Sequence, residues 1–309
     1  MTMDMNSARE RLEQLTDRRR RRFLHGGGLA AAGLIAGVGM PALAQTTTPA
    51  PAPAVPPADV LNFALNLEYL EAEYYLRGTR GLGLPEAAVQ GTGNLGMVEG
   101  GRKVPFETRE LQKVFEEVAR DELAHVLFLR QALGQAAVAR PMIDLSRSFN
   151  AAAQAAGLVP AGGTFDPFAN ENNFLIGAFI FEDVGVTAYK GAAPLLEDKG
   201  LIEAAAGILA VEAYHAGYVR TVAFMRKLFK ETRAISDLRD AADGAEDKDQ
   251  PVIFFQNDSD PNSEYISNIA PVDDNALAFS RTPQEVLNIV YLGAQPGGFF
   301  PGGMNGTIR

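Results

Sequence analysis

Two copies of a Glu-x-x-His pattern constrain this chain more than any other feature of its sequence. The chain has three histidines, and two of them follow a glutamate by three residues, as Glu122–His125 and Glu212–His215. Residues three apart on an α-helix lie on one face, so each pattern directs a carboxylate and an imidazole to one point. Two such helices facing each other, with one glutamate from each of two more helices, make the ligand set of a dinuclear metal site in a four-helix bundle.

Apolar periodicity predicts the four helices that such a site needs. The two Glu-x-x-His helices are predicted over about 107–133 and 201–231. Another helix is predicted to start from an N-cap at Asp59 and to end among the glycines that begin at Gly78. The remaining helix is predicted over about 173–193. These four segments can enclose a single core.

The first and third predicted helices each carry one glutamate on a stripe that is otherwise apolar. Glu68 and Glu182 stand where the helical period calls for a core residue. The first pair of helices also resembles the second pair in the spacing of its polar and aromatic residues, which predicts two hairpins related by a pseudo-twofold axis. The matching sets are Glu68 and Tyr75 with Glu182 and Tyr189, and Glu122, His125 and Arg130 with Glu212, His215 and Arg220.

Four carboxylates on core-facing stripes could not all be ionised side by side without cations. Two divalent ions would supply four positive charges against them. The chain has no cysteine, so any metal must be held by glutamate, aspartate and histidine, a ligand set that suits iron, manganese or zinc. We therefore predict a site for two metal ions, Fe or Mn, with six ligands: Glu68, Glu122, His125, Glu182, Glu212 and His215.

Four further residues are predicted to support these ligands. Asp121 is expected to reach the histidine of the opposite helix, and Tyr75 and Tyr189 to donate hydrogen bonds to ligand carboxylates. Glu71 lies three residues after Glu68 and is an alternative to it as a ligand. The sequence also permits a metal-free bundle with a polar core.

The N-terminal 44 residues have the composition of an export signal. A run of arginines ending in Arg22-Phe23-Leu24 precedes His25 and a Gly/Ala-rich apolar segment, and Ala42-Leu43-Ala44 has the form of a cleavage site. The arginine run resembles the twin-arginine motif, which implies the twin-arginine translocase as a partner and a periplasmic or otherwise exported location. An uncleaved membrane anchor is the alternative. Residues 45–57 form a Pro/Ala linker.

The remaining chain is predicted to form the bundle over residues 58–233 and a C-terminal extension over 234–309 that docks on it. Residues 135–172 are long enough to cross the length of the bundle, whereas the short link 194–200 makes the third and fourth helices antiparallel neighbours. In the extension, Thr282-Pro283-Gln284-Glu285 has the form of a helical capping box.

The opening and closing segments of the mature chain contain three distinctive motifs: the run Leu61–Tyr75; Arg281-Thr282-Pro283 with Val290-Tyr291; and Gly298-Phe299-Phe300-Pro301 with Asn305-Gly306. These motifs resemble the desiccation-related family of the ferritin-like superfamily, and the resemblance covers about residues 58–306. It implies an all-α, ferritin-like antiparallel four-helix bundle with one long crossover, a di-iron or di-manganese centre, and an irregular C-terminal extension packed on the bundle.

Two functions fit these features. The first is an exported oxidoreductase that acts on peroxide, oxygen or ferrous iron in stress protection. The second is a non-catalytic protein of desiccation or stress protection in which any metal is only structural. The formal net charge of −10 argues against nucleic acid as a partner. A homo-oligomer is compatible with the sequence.

Overall fold

The fold is that of a computed structural model, which describes residues 55–244, 246–255 and 263–309. The predicted export signal and the linker up to residue 54 lie outside the described residues. Val55–Pro271 and Ala278–Arg309 belong to one compact unit. The described residues of a second unit are Val272–Leu277, where the backbone N–H of Leu277 donates to Asp273.

The first hairpin consists of α1, Pro57–Arg80, and α2, Arg109–Leu133, which pack along each other. The predicted N-cap at Asp59 is wrong: Pro56 occupies the cap position without a side-chain cap, and Asp59 lies in the first turn. A carboxylate there interacts favourably with the helix dipole. Gly81 ends α1 in a left-handed conformation, with φ at 79°, while Gly78 remains inside the helix.

The connection between the hairpins contains a short helix, α3, Arg147–Ala155. The part of the connection that precedes α3 is held by a two-stranded parallel sheet, in which β1, Val98–Glu99, pairs with β2, Ile143–Asp144. β1 lies in the long loop between α1 and α2, so the sheet joins the two long connections of the bundle.

The second hairpin consists of α4, Glu171–Ala192, and α5, Lys199–Met225. Asn170 and Asp198 cap the two helices through side-chain oxygens that accept from backbone N–H groups. Only residues 193–198 join these long helices, too few to span the length of either one, so the helices run antiparallel. α1 also packs against α4, which brings the two hairpins together.

The predicted end of the fourth helix at about residue 231 is wrong. The helix stops at Met225, the chain turns at Lys227 with φ at 58°, and a new helix, α6, spans Phe229–Asp243. The predicted boundary at residue 233 therefore falls within a helix. Lys227 lies in the left-handed region of backbone conformation, which non-glycine residues rarely adopt. The sequence around Lys227 contains no glycine or asparagine that would have indicated such a turn.

Residues after α6 form a hairpin of strands β3, Ile253–Phe255, and β4, Tyr265–Ser267, and then α7, Pro283–Val290. The predicted capping box at Thr282 is confirmed: Thr282 and Glu285 satisfy each other's backbone N–H groups. α7 packs against α4 and α6, and Phe299 lies against Phe149 and Phe181.

The described residues thus form a mostly helical bundle with a C-terminal extension. No helix in this described part of the chain has the length and apolar character needed to cross a membrane.

Candidate metal centre

All six predicted ligands converge in the interior of the bundle. α1 supplies Glu68, α2 supplies Glu122 and His125, and the second hairpin supplies the other three. Each is buried, and Glu122 and Glu182 have no exposed surface. The full set is Glu68, Glu122, His125, Glu182, Glu212 and His215.

Each imidazole lies against carboxylates from both hairpins. His125 Nδ1 is 3.2 Å from Glu68 Oε2 and 3.5 Å from both Glu122 Oε2 and Glu212 Oε1. His215 Nδ1 is 3.0 Å from Glu122 Oε1 and 3.7 Å from Glu182 Oε2. Glu122 therefore lies between the two histidines, whose ring centroids are 6.5 Å apart.

Two tyrosines connect the hairpins in a pattern that follows the internal repeat. The Tyr75 hydroxyl on α1 donates to Glu182 on α4, and the Tyr189 hydroxyl on α4 donates to Glu68 on α1. Each tyrosine thus holds one oxygen of the carboxylate on the other helix and leaves the second oxygen directed to the cluster.

Support of the histidines from outside the cluster is unequal. His215 Nε2 lies 3.2 Å from Asp121 Oδ2, a contact across from α5 to α2. Val211 stands on α5 at the position that corresponds to Asp121 in the repeat. Among the described residues, only His215 has an aspartate as a hydrogen-bonding partner on the outer side of its ring.

Glu71 joins the cluster from the side that the repeat leaves open. A carboxylate oxygen of Glu71 lies within 4.8 Å of oxygens of Glu182 and Glu212. The residue that corresponds to Glu71 in the second hairpin is Gly185, and a methyl group there would overlap Glu212 Oε2 and lie 3.4 Å from Glu71 Oε1. The absence of a side chain at Gly185 therefore creates the space that these two carboxylates occupy.

The described residues leave much of this cluster without hydrogen-bonding partners. Six buried carboxylate oxygens and His215 Nδ1 make no hydrogen bond, although His215 Nδ1 lies within ion-pair distance of Glu122. Within the described part of the chain, no lysine or arginine forms an ion pair with any of the five glutamates. Buried carboxylates without partners are costly, so the arrangement fits cations that these oxygens would coordinate. The six oxygens belong to Glu71, Glu122, Glu182 and Glu212.

A second group of buried carboxylates provides a contrast. Asp243 and Asp249 lie close together with Asp240, but arginines neutralise them. Arg281 Nε donates to Asp243 at 2.7 Å, and Arg239 Nε is 2.6 Å from Asp249 Oδ1. This group has protein cations where the glutamate cluster has only histidines.

The protein compensates part of the charge by shifting the pKa values of the cluster. Burial raises the pKa of Glu68 to about 7 and that of Glu182 to about 8. Burial alone would lower the pKa of both histidines, but nearby carboxylates outweigh it and raise the pKa of His125 to about 11 and of His215 to about 9. For Glu122, burial is outweighed by the two histidines, and the pKa lies well below its usual range.

These shifts predict that the metal-free protein loses stability as the pH rises from 5.5 to 9. Glu68, Glu182 and both histidines have pKa values above those of the unfolded chain, so they stabilise the fold at low pH and lose that contribution as pH passes through their folded values. The effect is on the order of 1 kcal/mol for each pKa unit. The contribution of Glu122 to stability has the opposite sign, because its folded pKa is lowered, and that contribution is lost only as the pH falls below 4.5.

Thermal unfolding followed by circular dichroism across this range, in the presence of a chelator, measures the effect. The metal-loaded protein should not show the same decline, because bound cations favour the deprotonated ligands. A melting temperature of the metal-free protein that rises toward pH 9 would contradict the prediction.

The fold and this cluster define a helical bundle with a buried carboxylate–histidine centre, and comparison with known proteins agrees. Residues 57–225 match the family described as ferritin-like domain. The chain is 31% identical over 267 residues to desiccation-related protein PCC13-62 of Craterostigma plantagineum, across 80% of this chain and 83% of that protein. It is 29% identical over 267 residues to ferritin-like catalase Nec2 of Nesocodon mauritianus, across 81% and 84%. No solved structure matches.

This protein belongs to the ferritin-like domain family. The family match covers both hairpins, including every residue of the glutamate–histidine cluster.

The sequence predicted Asp121, Tyr75 and Tyr189 around the cluster but gave no indication of the ion pairs made by Asp183. Asp183, next to Glu182, accepts from Arg220 at 2.7 Å and from Arg239 at 3.0 Å. Arg220 was visible only as a member of the repeat, and its partners lie far away in sequence. The space that Gly185 leaves for carboxylates could have been inferred from the repeat, because glycine stands there at the position that corresponds to Glu71.

Proposed function

We propose that this protein binds two metal ions, iron or manganese, and acts as an exported oxidoreductase on peroxide, oxygen or ferrous iron. One observation carries the proposal. Five buried glutamates meet two histidines, six of their carboxylate oxygens have no hydrogen-bonding partner, and no lysine or arginine of the described residues pairs with them.

Two groups of side chains would each hold one ion. Each group contains one imidazole, as expected when a pair of Glu-x-x-His helices shares a dinuclear site. Glu122 belongs to both groups, so it would help to hold both ions. The groups are Glu68, Glu122, His125 and Glu212, and Glu122, Glu182 and His215.

We propose Glu68 as the α1 ligand, with Glu71 as an additional ligand. Glu68 lies 3.2 Å from His125, whereas Glu71 is grouped with Glu182 and Glu212 and not with a histidine. Glu71 is 6% exposed and has an oxygen without a partner, so it too is placed to face a cation.

A pair of iron or manganese ions would supply two-electron exchange with peroxide or dioxygen. The residues of the chain would bind and orient. Asp121 would fix the ring of His215 from outside the site, and Tyr75 and Tyr189 would fix the carboxylates of Glu182 and Glu68. Burial of the cluster keeps bulk water away from it and strengthens each of these interactions.

Among the three candidate substrates, peroxide has support from the name of one relative. The protein Nec2 is named a ferritin-like catalase, and its match covers 81% of this chain, including both Glu-x-x-His segments. Catalase activity is therefore the first activity to assay here.

The alternative function is protection without turnover. Its support is the match to a protein named desiccation-related, at 31% identity. In that case metal would stabilise the bundle by binding only its folded form, and no redox turnover would be measured.

Export through the twin-arginine translocase remains part of the proposal, and its support is the sequence of residues 1–44. A periplasmic location can be tested by fractionation of cells in which Arg20-Arg21 is replaced by Lys-Lys. Retention of the altered protein in the cytoplasm supports this route, whereas unchanged export contradicts it.

Elemental analysis of natively exported protein, followed by oxygen-evolution and ferrous-oxidation assays, tests the function. We expect two Fe or Mn ions per chain and turnover of peroxide or ferrous iron. Full metal occupancy without turnover would support the structural alternative. Failure to bind either metal would contradict both the centre and its chemistry.

Replacement of Gly185 by alanine should weaken metal binding without destabilising the metal-free fold. The added methyl would displace the Glu212 carboxylate, which lies at the flexible end of a side chain. Loss of a group that only orients a ligand already costs ~10–100-fold in metal affinity, so misplacing the ligand Glu212 should cost at least as much. Alanine is favoured over glycine in a helix by roughly 0.5–1 kcal/mol, which opposes any cost to the fold.

Gly207→Ala is the matched control, because Gly207 is also helical, lies on α5, and has no atom within 4 Å of an added methyl. Chelator competition gives the affinities, and urea denaturation with chelator gives the stabilities. Equal metal affinity in the two variants would show that Gly185 does not set the position of the carboxylates.

A further inference from the structure

An apolar cavity lies outside the glutamate–histidine cluster, among α3, α4, α6 and α7. Its volume is about 250 Å³. Its walls are almost entirely apolar and include Phe149, Ala153, Ile176, Leu238 and Ala242. The cavity opens to solvent at its rim, where Ala155, Ala241 and Gly293 are exposed, so a ligand can enter it from the surface.

The single charged residue among those that line the cavity is Arg239, and its guanidinium is already neutralised. Arg239 Nη1 donates to the Phe179 carbonyl at 2.8 Å, Nη2 donates to Asp183 at 3.0 Å, and Nε lies 2.6 Å from Asp249 Oδ1. All three nitrogens are therefore engaged, and none is left to bind an anionic head group. The cavity offers a ligand apolar contact but no free cation.

Water inside this cavity would be weakly held, because an ordered water needs two to four polar partners and the walls are almost entirely apolar. An apolar cavity of roughly 150 Å³ accepts benzene. A cavity of about 250 Å³ accommodates on the order of ten carbon atoms on the same scale.

The cavity is separated from the glutamate cluster by a thin wall. A small void of about 10 Å³ beside Glu71 and Gly185 is lined by Ile180 and Ile289, and both isoleucines also line the larger cavity. A molecule in the larger cavity would therefore lie one layer of side chains from the void at Glu71.

We propose that this cavity is a binding site for a neutral, apolar organic molecule of about ten carbon atoms. Its volume sets the size of the ligand, its apolar walls set the chemistry, and the neutralised Arg239 disfavours a carboxylate. The site needs no metal, so it stands independently of the proposed function.

Isothermal titration calorimetry of the exported protein with limonene, a neutral ten-carbon probe, tests the site. We expect one molecule bound per chain, with a negative heat-capacity change from burial of apolar surface. Decanoate, a charged molecule of the same carbon number, should bind more weakly. Binding should be the same with and without a chelator, so failure of the metal centre would not remove it.

Two variants and a control assign the binding to this cavity. Ala153→Leu adds three carbons to a buried wall on α3 and should weaken limonene binding about tenfold or more through overpacking. Ala242→Leu makes the same change from α6 and serves if Ala153→Leu fails to fold. Ala151→Leu lies on the exposed side of α3 and should bind as the native protein does.

Absence of limonene binding to the folded native protein would overturn the proposal. Unchanged binding in both Ala153→Leu and Ala242→Leu would also overturn it, because the probe would then lie elsewhere. Tighter binding of decanoate than of limonene would contradict the assignment of a neutral ligand.

Discussion

Glu122→Gln should remove metal from both positions of the centre. Glu122 has no exposed surface, and its carboxylate lies 3.5 Å from His125 and 3.0 Å from His215. Glutamine keeps the shape but loses the charge and one acceptor oxygen. Loss of partners that only orient ligands already costs ~10–100-fold in metal affinity, so loss of a shared ligand should exceed about 100-fold.

The effect on two ions at once distinguishes Glu122 from the other glutamates. A residue that belongs to one group alone, such as Glu68 with His125, should on replacement weaken the binding of one ion more than that of the other. Metal content after dialysis and chelator competition measures both effects. Retention of one tightly held ion in Glu122→Gln would show that this carboxylate does not help to hold both ions.

Glu117→Gln is the control for this experiment. Glu117 lies on the same helix, α2, but is exposed to solvent. The substitution removes the same charge without touching the cluster, so metal content and turnover should match the native protein. A similar loss of metal in both variants would point to a general effect of charge on the fold.

The four helices and their convergence could be predicted because the signals are local and repeated. A carboxylate and an imidazole three residues apart fix a face of a helix, and the apolar stripe around them fixes the direction of the core. Glu68 and Glu182 stood out because each interrupts such a stripe. These positions needed no knowledge of the three-dimensional partners.

Other features depend on contacts between residues far apart in the chain. The break after Met225 arises at Lys227, a non-glycine residue with positive φ, where tertiary contacts override local preference. The choice between Glu68 and Glu71 could not be made from spacing either, since both lie buried on α1 and face different groups of the cluster.

The two hairpins are similar in the cluster but differ around it. Tyr75 and Tyr189 make equivalent bonds, whereas Glu71 faces Gly185 and Asp121 has Val211 as its counterpart. The differences leave the two ion positions in unlike surroundings: one has an extra carboxylate nearby, and one histidine has an aspartate behind it. An unequal pair of ions is the expected consequence, with different affinities for the first and second metal.

The same inequality appears in the arginines of the repeat. Arg130 on α2 is partly exposed and donates to the hydroxyl of Tyr69, the residue that follows Glu68 in the chain. Arg220 on α5 is fully buried and reaches Asp183 next to Glu182. Arg220 also donates to four backbone carbonyls, so it joins the bundle to the C-terminal extension; these belong to Gln250, Pro251, Asn268 and Ile269.

Arg220→Met should therefore be far more destabilising than the equivalent change at Arg130. Methionine fills part of the space but leaves the Asp183 carboxylate with a single remaining cation, Arg239. Removing one partner of a buried ion pair typically costs about 3–5 kcal/mol. Arg130→Met loses one hydrogen bond at a partly exposed site, which is worth about 1 kcal/mol.

Urea denaturation of both variants, with chelator present to remove any contribution of metal, gives the two free energies of unfolding. The two variants are well matched, because each replaces an arginine by methionine. The two arginines occupy equivalent positions in their helices and follow the histidine of their own helix by the same number of residues. A loss of stability in Arg220→Met no larger than that in Arg130→Met would mean that the carbonyls and Asp183 find other donors. The extension would then be held by its other contacts, which include the hydrogen bond from Arg281 to Thr187 and the packing of Phe299 and α7 on the bundle.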